Sequence, residues 1–461
     1  MTLRAAPWLR HLCKENCISV VDVPRQLLLL ALTLQLSAQT PSLTLRDAVQ
    51  KALDQHPSVQ AAHAQTKAVA ARTVQARAGF LPKINYSESF QSSNNPVFAF
   101  STLLTQRRFA ASNFAINSLN HPGAVNNFQS QLSIDQVLYD FGGTRYSIQS
   151  AQLGEKLSAE QERHTRMNLV AKVARSYHGV TLAEEFLKAA QRAVTSAEAD
   201  LTRAEAVRSA GLSTDADVLS IRVHLAAMQE QRIQRQSTLD LARAALNETL
   251  GQPLDDPLAL STPLTPAPVS TDSVALNDRP ELRQATIARQ LAETQSAAAR
   301  SALFPQITGR AAVEADRGRF VNQGSANWYL SAGLRWNLFN GYADRARQTE
   351  AAETLVKSQA NERETQAGVR LELRQAQAAL SSAAQRIEVA SATVAYAEES
   401  LRITKNRYEA GLATVTDLLR TETALLDSTT RRLAAIYDHR LAAVLLQLAA
   451  GTLNGDSNVL Q

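Results

Sequence analysis

Cysteine is almost absent from this 461-residue chain, and the two that occur, Cys13 and Cys17, lie near the N-terminus. Both precede a short apolar run, 27–34, that follows Arg25. This order is typical of a secretory signal peptide, which we place at 1–38. The mature chain should therefore carry no cysteine, which excludes disulfides, metal thiolates and a lipid-bearing N-terminal cysteine.

Long apolar runs are also missing after the signal peptide. No stretch of the sequence reaches the roughly 20 apolar residues that a membrane-spanning helix needs. If the protein crosses a membrane, we expect it to do so with strands, because a closed barrel is the other structure that satisfies every backbone group in lipid.

Motifs for catalysis and for cofactor binding are absent as well. The eight histidines are scattered without the spacing of metal ligands, and no glycine-rich phosphate loop occurs. Asp140-Phe141-Gly142 spells a kinase triplet, but the other kinase motifs are missing, so it indicates a turn. Basic residues are spread along the predicted helix faces among acidic ones and lack interleaved aromatics. We therefore predict no enzyme, no cofactor, no metal and no nucleic-acid partner.

What the chain does contain is an internal repeat. Residues 138–217 recur without a gap as 338–417, and the pattern of the two copies agrees closely. Pro57 and Pro82, which precede the first copy's strands, are likewise matched by Pro280 and Pro305. Such self-similarity predicts two similar halves rather than several unrelated domains.

Each half holds one very long helix. In the first copy Val173, Val180, Leu187 and Val194 follow one another at intervals of seven residues. This spacing is typical of coiled-coil packing. No proline interrupts 143–211, so one helix of roughly 100 Å is possible at 1.5 Å per residue. A helix of this length is too long for an ordinary globular domain.

Alternation with a period of two marks four short strands. It is clearest in the last strand, where Trp328, Leu330, Leu334 and Trp336 share one face. A segment of about ten residues with one apolar face matches a tilted membrane strand, and tryptophan suits the membrane interfaces. We predict that these four residues face lipid. The alternative is a small soluble sheet that buries the same face.

Four strands cannot close a barrel, and open strand edges are not tolerated in lipid. Several identical chains must therefore share one barrel. Three chains would supply about twelve strands, which is within the range of outer-membrane barrels.

The predicted plan has a first repeat at 39–250, a proline-rich linker at 251–273, a second repeat at 274–453 and a tail at 454–461. After an initial helix, the elements of the first repeat are strands at about 83–91 and 129–138, a long helix at about 143–210, a turn at Gly211 and a helix at about 214–250. The corresponding elements of the second repeat lie at about 306–315, 328–338, 342–410, Gly411 and 414–450. Residues 91–127 are predicted to form a long loop.

This order of elements, given twice, resembles the outer membrane efflux protein family, whose best-known member is TolC. The likeness covers about 43–453. It implies a mixed α and membrane-β fold, in which a homotrimer forms a twelve-stranded outer-membrane barrel that continues as a long periplasmic coiled-coil barrel of helices. It also implies a passive exit duct of a tripartite efflux or type I secretion system. The implied partners are a periplasmic adaptor and an inner-membrane transporter of the RND or ABC type.

The resemblance assigns roles to the two turns as well. By this likeness the turns are periplasmic tips that dock the adaptor, and docking opens the channel. The residues that match the docking motifs are Arg208, Gly211, Leu212, Arg407, Tyr408, Gly411 and Leu412. From the sequence alone, the two glycines are simply helix terminators.

At the gate, three tip residues match family positions and two depart from them. Asp217 and Tyr408 match residues that hold the closed tip by hydrogen bonds between helices. Asp417 matches the first of two aspartates that constrict the pore, whereas Arg420 replaces the second and Ala413 replaces a family arginine. A ring of three carboxylates would attract cations, and Arg420 would partly neutralise it. The alternative for Asp417 and Arg420 is a solvated ion pair on a helix face.

Two functions remain open at this point. The first is an export channel in the outer membrane that extends into the periplasm. The second is a secreted periplasmic coiled-coil scaffold without a pore. Membrane fractionation would distinguish them, since a scaffold would be a soluble periplasmic protein.

Overall fold

The computed structural model describes residues 42–211, 213–267, 279–321 and 324–460. The predicted signal peptide lies outside these ranges, as do Leu212 and the last part of the linker. The described chain is mostly helical and contains one antiparallel sheet.

The first half contains, in chain order, α1 (Leu45–Gln55), α2 (Pro57–Arg77), β1 (Lys83–Ser93), α3 (Pro96–Thr105), α4 (Ile116–Asn120), β2 (Val125–Tyr139), α5 (Gly143–Ser209) and α6 (Asp215–Leu250). The second half contains α7 (Pro280–Ser301), β3 (Gln306–Arg317), β4 (Ser325–Arg335), α8 (Ala343–Glu409) and α9 (Val415–Ala450).

The long helices form two hairpins of equal size. Helices α5 and α8 have 67 residues each, and α6 and α9 have 36 each. At 1.5 Å per residue the longer helices extend about 100 Å. Helix α5 packs against α6 and α8 packs against α9, while α5 also contacts α9. The contact between α5 and α9 therefore joins hairpin α5/α6 to hairpin α8/α9.

The turn into α5 is fixed by one carboxylate. Asp140 Oδ2 accepts hydrogen bonds from the Thr144 amide at 2.6 Å and the Thr144 hydroxyl at 2.5 Å. Gly142 has a left-handed φ of 94°, which a residue without a Cβ adopts at little cost. Asp140-Phe141-Gly142 thus forms a strand-to-helix turn.

The connection between β1 and β2 is more ordered than the predicted loop at 91–127. It contains α3 and α4. Helix α3 begins at Pro96 because proline suits the first turn of a helix and because Asn95 Oδ1 accepts hydrogen bonds from the amides of Val97 and Phe98. The nearly buried Gln106, just after α3, donates from its side-chain amide to Asn127 Oδ1 at 2.9 Å. This contact holds the connection against β2.

The four strands form an antiparallel sheet in the order β1-β2-β3-β4. Within the described residues, the outer edges of β1 and β4 pair with no other strand. Unpaired edges expose backbone donors and acceptors that a further strand can satisfy.

The register of the sheet aligns apolar residues into rows that run across all four strands. One row consists of Tyr86, Leu132, Val313 and Trp328. The next row consists of Ile84, Ile134, Ala311 and Leu330. One face of the sheet is therefore largely apolar, and it carries few polar residues such as Glu88.

The opposite face is polar. Lys83, Asp135, Arg310 and Ser331 form one row, and Arg310 Nε lies 3.5 Å from Asp135 Oδ1. A second polar row on this face consists of Ser87, Gln131, Glu314 and Asn327. Such a difference between faces is typical of a sheet that separates lipid from a wet interior.

The strand boundaries differ from the predicted ones by a few residues. Strand β2 begins at Val125 rather than at 129, and β4 spans Ser325–Arg335 rather than 328–338. Strand β4 ends at Arg335 because its partner β3 begins at Gln306, directly opposite, so the ladder has no partner beyond. The long helices agree with the prediction to within one residue at each end.

The main hydrophobic core lies where α1, α5, α6 and α9 meet, far from both the sheet and the tips. Tyr177 is fully buried there, and its hydroxyl donates to the Leu43 carbonyl at 2.8 Å and accepts from the Thr262 amide at 3.0 Å. Val459 and Leu460 belong to the same core. The segment predicted as a tail is therefore packed against the helices.

One described helix, α9, is long and apolar enough to span a membrane by length and composition alone. The sequence-based expectation that no such segment follows the signal peptide is therefore wrong on those two criteria. Half of the most apolar part of α9 is buried within the protein. Ala442, Ala443 and Val444 contribute to the main core, so α9 is apolar because it packs against other helices.

Candidate functional site: the hairpin tips

Both hairpins end in the same glycine-centred turn. Gly211 and Gly411 have left-handed φ angles of 75° and 73°. In the second turn the amide of Gly411 donates to the Tyr408 carbonyl at 3.0 Å, and that of Leu412 donates to the Arg407 carbonyl at 2.7 Å. Apart from the glycine and its two chain neighbours, no atom of the described residues lies within 4 Å of the place where a Cβ of either glycine would stand. The backbone at both tips is thus open to a partner.

The second helix of each hairpin begins with a capping box. Thr214 and Thr414 are the N-caps, and each hydroxyl accepts from the amide of the aspartate three residues later. The aspartates, Asp217 and Asp417, accept from the same threonines in return. These hydrogen bonds from threonine lower the pKa of both carboxyls, so both are ionised at neutral pH. The predicted gate residue Asp217 thus has a structural role at its own turn.

The arginines predicted to dock an adaptor are both exposed. Arg208 Nε lies 2.7 Å from Asp215 Oδ1, so the ion pair spans the first turn. Arg407 donates to the Leu412 carbonyl at 3.4 Å, and the Leu412 side chain is 68% exposed. Leu212, the corresponding residue of the first turn, lies outside the described residues.

Tyr408 packs between the two hairpins. Its ring lies against a small apolar cluster of buried residues that includes Ala204, Val218 and Val415. Burial raises the pKa of the Tyr408 hydroxyl, and the nearby carboxylate of Asp217 raises it further. Within the described residues this hydroxyl makes no hydrogen bond to Asp217, so here the two residues interact through charge.

Asp417 and Arg420 are both exposed and lie on α9 just beyond the tip. Arg420 contributes to the low pKa of Asp417, after the hydrogen bonds from Thr414. The two side chains come no closer than 4 Å, so they form no direct ion pair in the described part of the chain. Asp417 therefore presents its charge to solvent.

The structure also shows a polar cluster that the sequence did not indicate, which extends from Glu409 at the tip about four turns of helix back to Ser196. This inter-hairpin cluster consists of Ser196, Asp200, Arg203, His224, Lys405, Glu409 and Glu422. The residues belong to α5, α6, α8 and α9. The internal repeat did not point to the two acidic residues of this cluster, because Ser400 and Arg222 occupy the positions equivalent to Asp200 and Glu422 in the other half.

Within this cluster, four polar contacts join residues of different hairpins. Ser196 Oγ donates to Glu422 Oε1 at 2.8 Å, and His224 Nε2 lies 3.4 Å from Glu422 Oε2. The remaining two contacts join Arg203 Nη1 to Glu409 Oε1 at 2.8 Å and Lys405 Nζ to Asp200 Oδ1 at 3.5 Å. The cluster thus connects hairpin α5/α6 to hairpin α8/α9.

The four predicted lipid-facing residues lie on the apolar face of the sheet or at its end. Trp328, Leu330, Leu334 and Trp336 are between 54% and 78% exposed in the single chain. None is enclosed in a protein core. The Trp336 indole Nε1 donates to the Leu303 carbonyl at 3.0 Å, which leaves most of its ring exposed.

The fold is that of known outer-membrane channels. The crystal structure of the outer membrane protein VceC from Vibrio cholerae superimposes with a TM-score of 0.76 over 88% of this chain and 96% of that one, at 19% sequence identity. At this identity the likeness establishes the fold alone. The protein thus has the architecture of a TolC-like channel.

The chain belongs to the outer membrane efflux protein family, whose sequence profile matches residues 48–252 and 273–452. It is 27% identical over 432 residues to the alkaline protease secretion protein AprF of Pseudomonas aeruginosa, an alignment that covers 90% of this chain and 85% of AprF. It is 25% identical over 227 residues to the probable efflux pump outer membrane protein TtgC of Pseudomonas putida, which covers 47% of each chain.

These relationships confirm the predicted family, function and location. The protein is an outer-membrane channel of the kind that serves efflux and secretion systems. The family consists of channel proteins rather than enzymes. The alternative of a secreted scaffold without a pore is no longer supported.

Proposed function

We propose that three copies of this chain assemble into one exit duct with a shared twelve-stranded barrel. The support is the sheet itself, because its four strands leave β1 and β4 with unpaired edges and carry continuous apolar rows. Pairing β4 of one protomer with β1 of the next closes the barrel after three protomers. Closure satisfies the backbone groups that lipid cannot.

The helices continue the barrel as a tube across the periplasm. Each chain contributes two hairpins of equal length, so six hairpins end at one level. The duct is passive, and its energy comes from an inner-membrane transporter of the RND or ABC type. The names of TtgC, an efflux pump protein, and AprF, a protease secretion protein, are compatible with either system.

A periplasmic adaptor docks at the tips and loosens them. The open backbone at Gly211 and Gly411, the exposed Leu412 side chain and the exposed Arg208 and Arg407 suit a helical partner. In the closed duct the hairpins pack together through Tyr408 and its apolar neighbours. Docking moves hairpin α8/α9 away from α5/α6 and widens the pore.

Asp417 narrows the closed pore as one carboxylate from each protomer. Its low pKa keeps the ring charged, and Arg420 is close enough to weaken the field. A charged ring at a narrow pore favours ions of opposite sign. We therefore propose weak cation selectivity at the tip.

The continuous apolar rows across four strands carry this proposal. Its test is to express the full chain, fractionate the membranes and analyse the outer-membrane fraction by chemical cross-linking and by recording in planar bilayers. We expect a trimer that conducts in small steps, because the tips are closed. A soluble monomer in the periplasm, or a trimer that never conducts even when the tips are truncated, would refute a shared barrel.

A further inference from the structure

The inter-hairpin cluster lies where the gate must separate. Its four direct contacts each join a residue of hairpin α5/α6 to a residue of hairpin α8/α9. Any movement of one hairpin away from the other breaks these contacts together. The inference below rests on the proposed tip gate and concerns what controls it.

Two acidic side chains form the centre of the cluster. Asp200 on α5 is 1% exposed, and neither of its carboxylate oxygens has a hydrogen-bond donor among the described residues. Glu422 on α9 accepts through Oε1 from Ser196, which lies one helical turn before Asp200 on α5, so the two carboxyl groups are neighbours. The buried Oε2 of Glu422 faces His224 Nε2 at 3.4 Å without a hydrogen bond. Two buried carboxylates cannot both remain charged without donors, because desolvation and mutual repulsion oppose ionisation. A proton held between them removes one charge and supplies the missing hydrogen bond.

The surrounding charges do not replace that proton. Lys405 of α8 and Arg203 of α5 approach Asp200 only to 3.5 Å and 3.9 Å, and Arg203 pairs more closely with Glu409 of α8. On the other side, His224 of α6 faces Glu422. Tyr408 of α8 is also within electrostatic range of Asp200.

The space beside Glu422 has a mixed lining. A cavity of about 370 Å³ borders Glu422 and lies between the hairpins. Its apolar lining includes Ala189, Met228 and Val394, while Arg192, Glu398 and Arg432 also line it. The apolar part of this wall favours the neutral form of a carboxyl group, whereas the two arginines favour the ionised form and Glu398 opposes them.

We propose that Asp200 and Glu422 share one proton that fastens hairpin α5/α6 to hairpin α8/α9, and that loss of this proton makes the tip gate easier to open.

The pKa values of the two groups agree with this arrangement. Burial, and then the hydrogen bond to Glu422, raise the pKa of Asp200 from 3.8 to about 6. Burial alone would raise the pKa of Glu422, but the facing His224, the neighbouring Asp200 and the hydrogen bond from Ser196 outweigh burial and lower this pKa. Asp200 is thus the proton donor and Glu422 the acceptor.

The sign of the pH effect follows from linkage. The closed tip binds the Asp200 proton more tightly than an open tip in which Asp200 is exposed with its ordinary pKa of 3.8. The contribution of the pair to closure is therefore complete below that value and is lost as the pH rises through about 6. Between about pH 5 and about pH 7 the ratio of open to closed channels should rise on the order of tenfold.

The first experiment detects the proton without any need for conduction. Infrared difference spectra of the detergent-solubilised trimer are recorded while the pH is changed. We expect a protonated-carboxyl band that disappears with a midpoint near the Asp200 pKa of about 6 and is missing in Asp200→Asn. The matched control is Glu198→Gln, which removes an exposed carboxyl two residues away on α5 and should retain the band. Absence of the band in the wild-type protein would overturn the proposal.

The second experiment tests the effect on the gate by recording single channels over the same pH range. We expect the open probability of the wild-type and Glu198→Gln channels to rise with pH. Asp200→Asn and Glu422→Gln should remain at the low value, because a side-chain amide can donate the hydrogen bond at every pH. A pH response that survives in both variants would contradict a role of this proton in gating, while conduction would still support the proposed channel. Channels that never conduct at any pH, even after truncation of the tips, would instead refute the proposed function.

Discussion

At the scale of single residues, the tip combines groups that terminate helices with groups that carry charge. Thr414 and Asp417 cap α9, and the same aspartate presents a negative charge to solvent. Arg420, nearly one turn further along α9, reduces that charge at long range. The electrostatics of the pore should therefore depend on both residues.

The first prediction concerns ion selectivity. Arg420→Ala should increase the preference of the proposed channel for cations several-fold, because it leaves the Asp417 ring uncompensated. Asp417→Asn should reduce the preference while keeping most of the helix cap, since an asparagine amide oxygen can still accept from Thr414. Reversal potentials under a salt gradient measure both effects. Unchanged selectivity in both variants would show that the constriction lies elsewhere.

His178 provides a second prediction, which concerns stability. Its ring is buried without a hydrogen-bond partner among the described residues, and burial together with the charge of Arg440 lowers its pKa from 6.5 to about 4. Because the unfolded chain binds this proton more tightly, stability is complete above the ordinary histidine pKa. It falls by about 3 kcal/mol as the pH drops through the window between the two values.

The control for this prediction is His178→Leu, which fills the same space with a side chain that does not titrate. Denaturant titrations followed by circular dichroism at several pH values should show a shallower loss of stability in the variant than in the wild-type chain. Equal slopes in both proteins would mean that His178 is protonated in the folded state.

At the scale of secondary-structure elements, the sheet and the hairpins differ in how their apolar surface is distributed. The sheet has one apolar and one polar face, which suits a wall between lipid and water. Each helix of the hairpins has only a narrow apolar stripe, so most of α8 remains exposed in a single chain. An exposed helix of 67 residues indicates that neighbouring protomers complete its packing.

The third prediction compares the two faces of β4. Leu330→Arg places a charge in the apolar row formed with Ala311 and should cost about 2–4 kcal/mol near the membrane centre. Asn327→Arg places the same charge on the polar face, opposite Glu314, and should be tolerated. The amount of folded trimer in the outer-membrane fraction measures the difference. Equal yields of the two variants would show that this face does not contact lipid.

At the scale of the whole molecule, the equal lengths of the hairpins decide whether the tips can meet. Helices α5 and α8 match each other in length, as do α6 and α9. Both hairpins therefore end at one level. The two hairpins are held together in the core around Tyr177, where α1, the linker and the C-terminal residues pack against the long helices.

The fourth prediction tests this match. One extra heptad in α5 and one in α6 would lengthen a single hairpin by about 10 Å and put its tip out of register. We expect such a channel to conduct continuously, because the tips cannot close. The matched control carries the same insertion in all four helices and should regain small conductance steps in planar bilayers. Closed tips in the unequal variant would argue against a gate formed by all six hairpins.

Much of the architecture follows from the sequence by itself. Apolar residues at intervals of seven, without an intervening proline, specify a long helix. Glycine followed by threonine and aspartate specifies the reversal of the chain, because helix termination and capping depend on local backbone conformation and hydrogen bonds. Alternation likewise specifies the strands and their apolar face. The helix ends near Gly211 and Gly411 could therefore be predicted within a residue or two. The placement of Trp328 on the apolar face of its strand could be predicted as well.

Only the tertiary structure decided which polar residues meet between the hairpins. Asp200 and Glu422 are separated by more than two hundred residues, and each is an unremarkable charged position on its own helix. They become a buried pair because α5 packs against α9 in one particular rotation and register. Burial and mutual distance set their protonation, and neither quantity is encoded in local sequence patterns. The same reason explains why the packed helices between β1 and β2, and the C-terminal residues in the core, were not predicted.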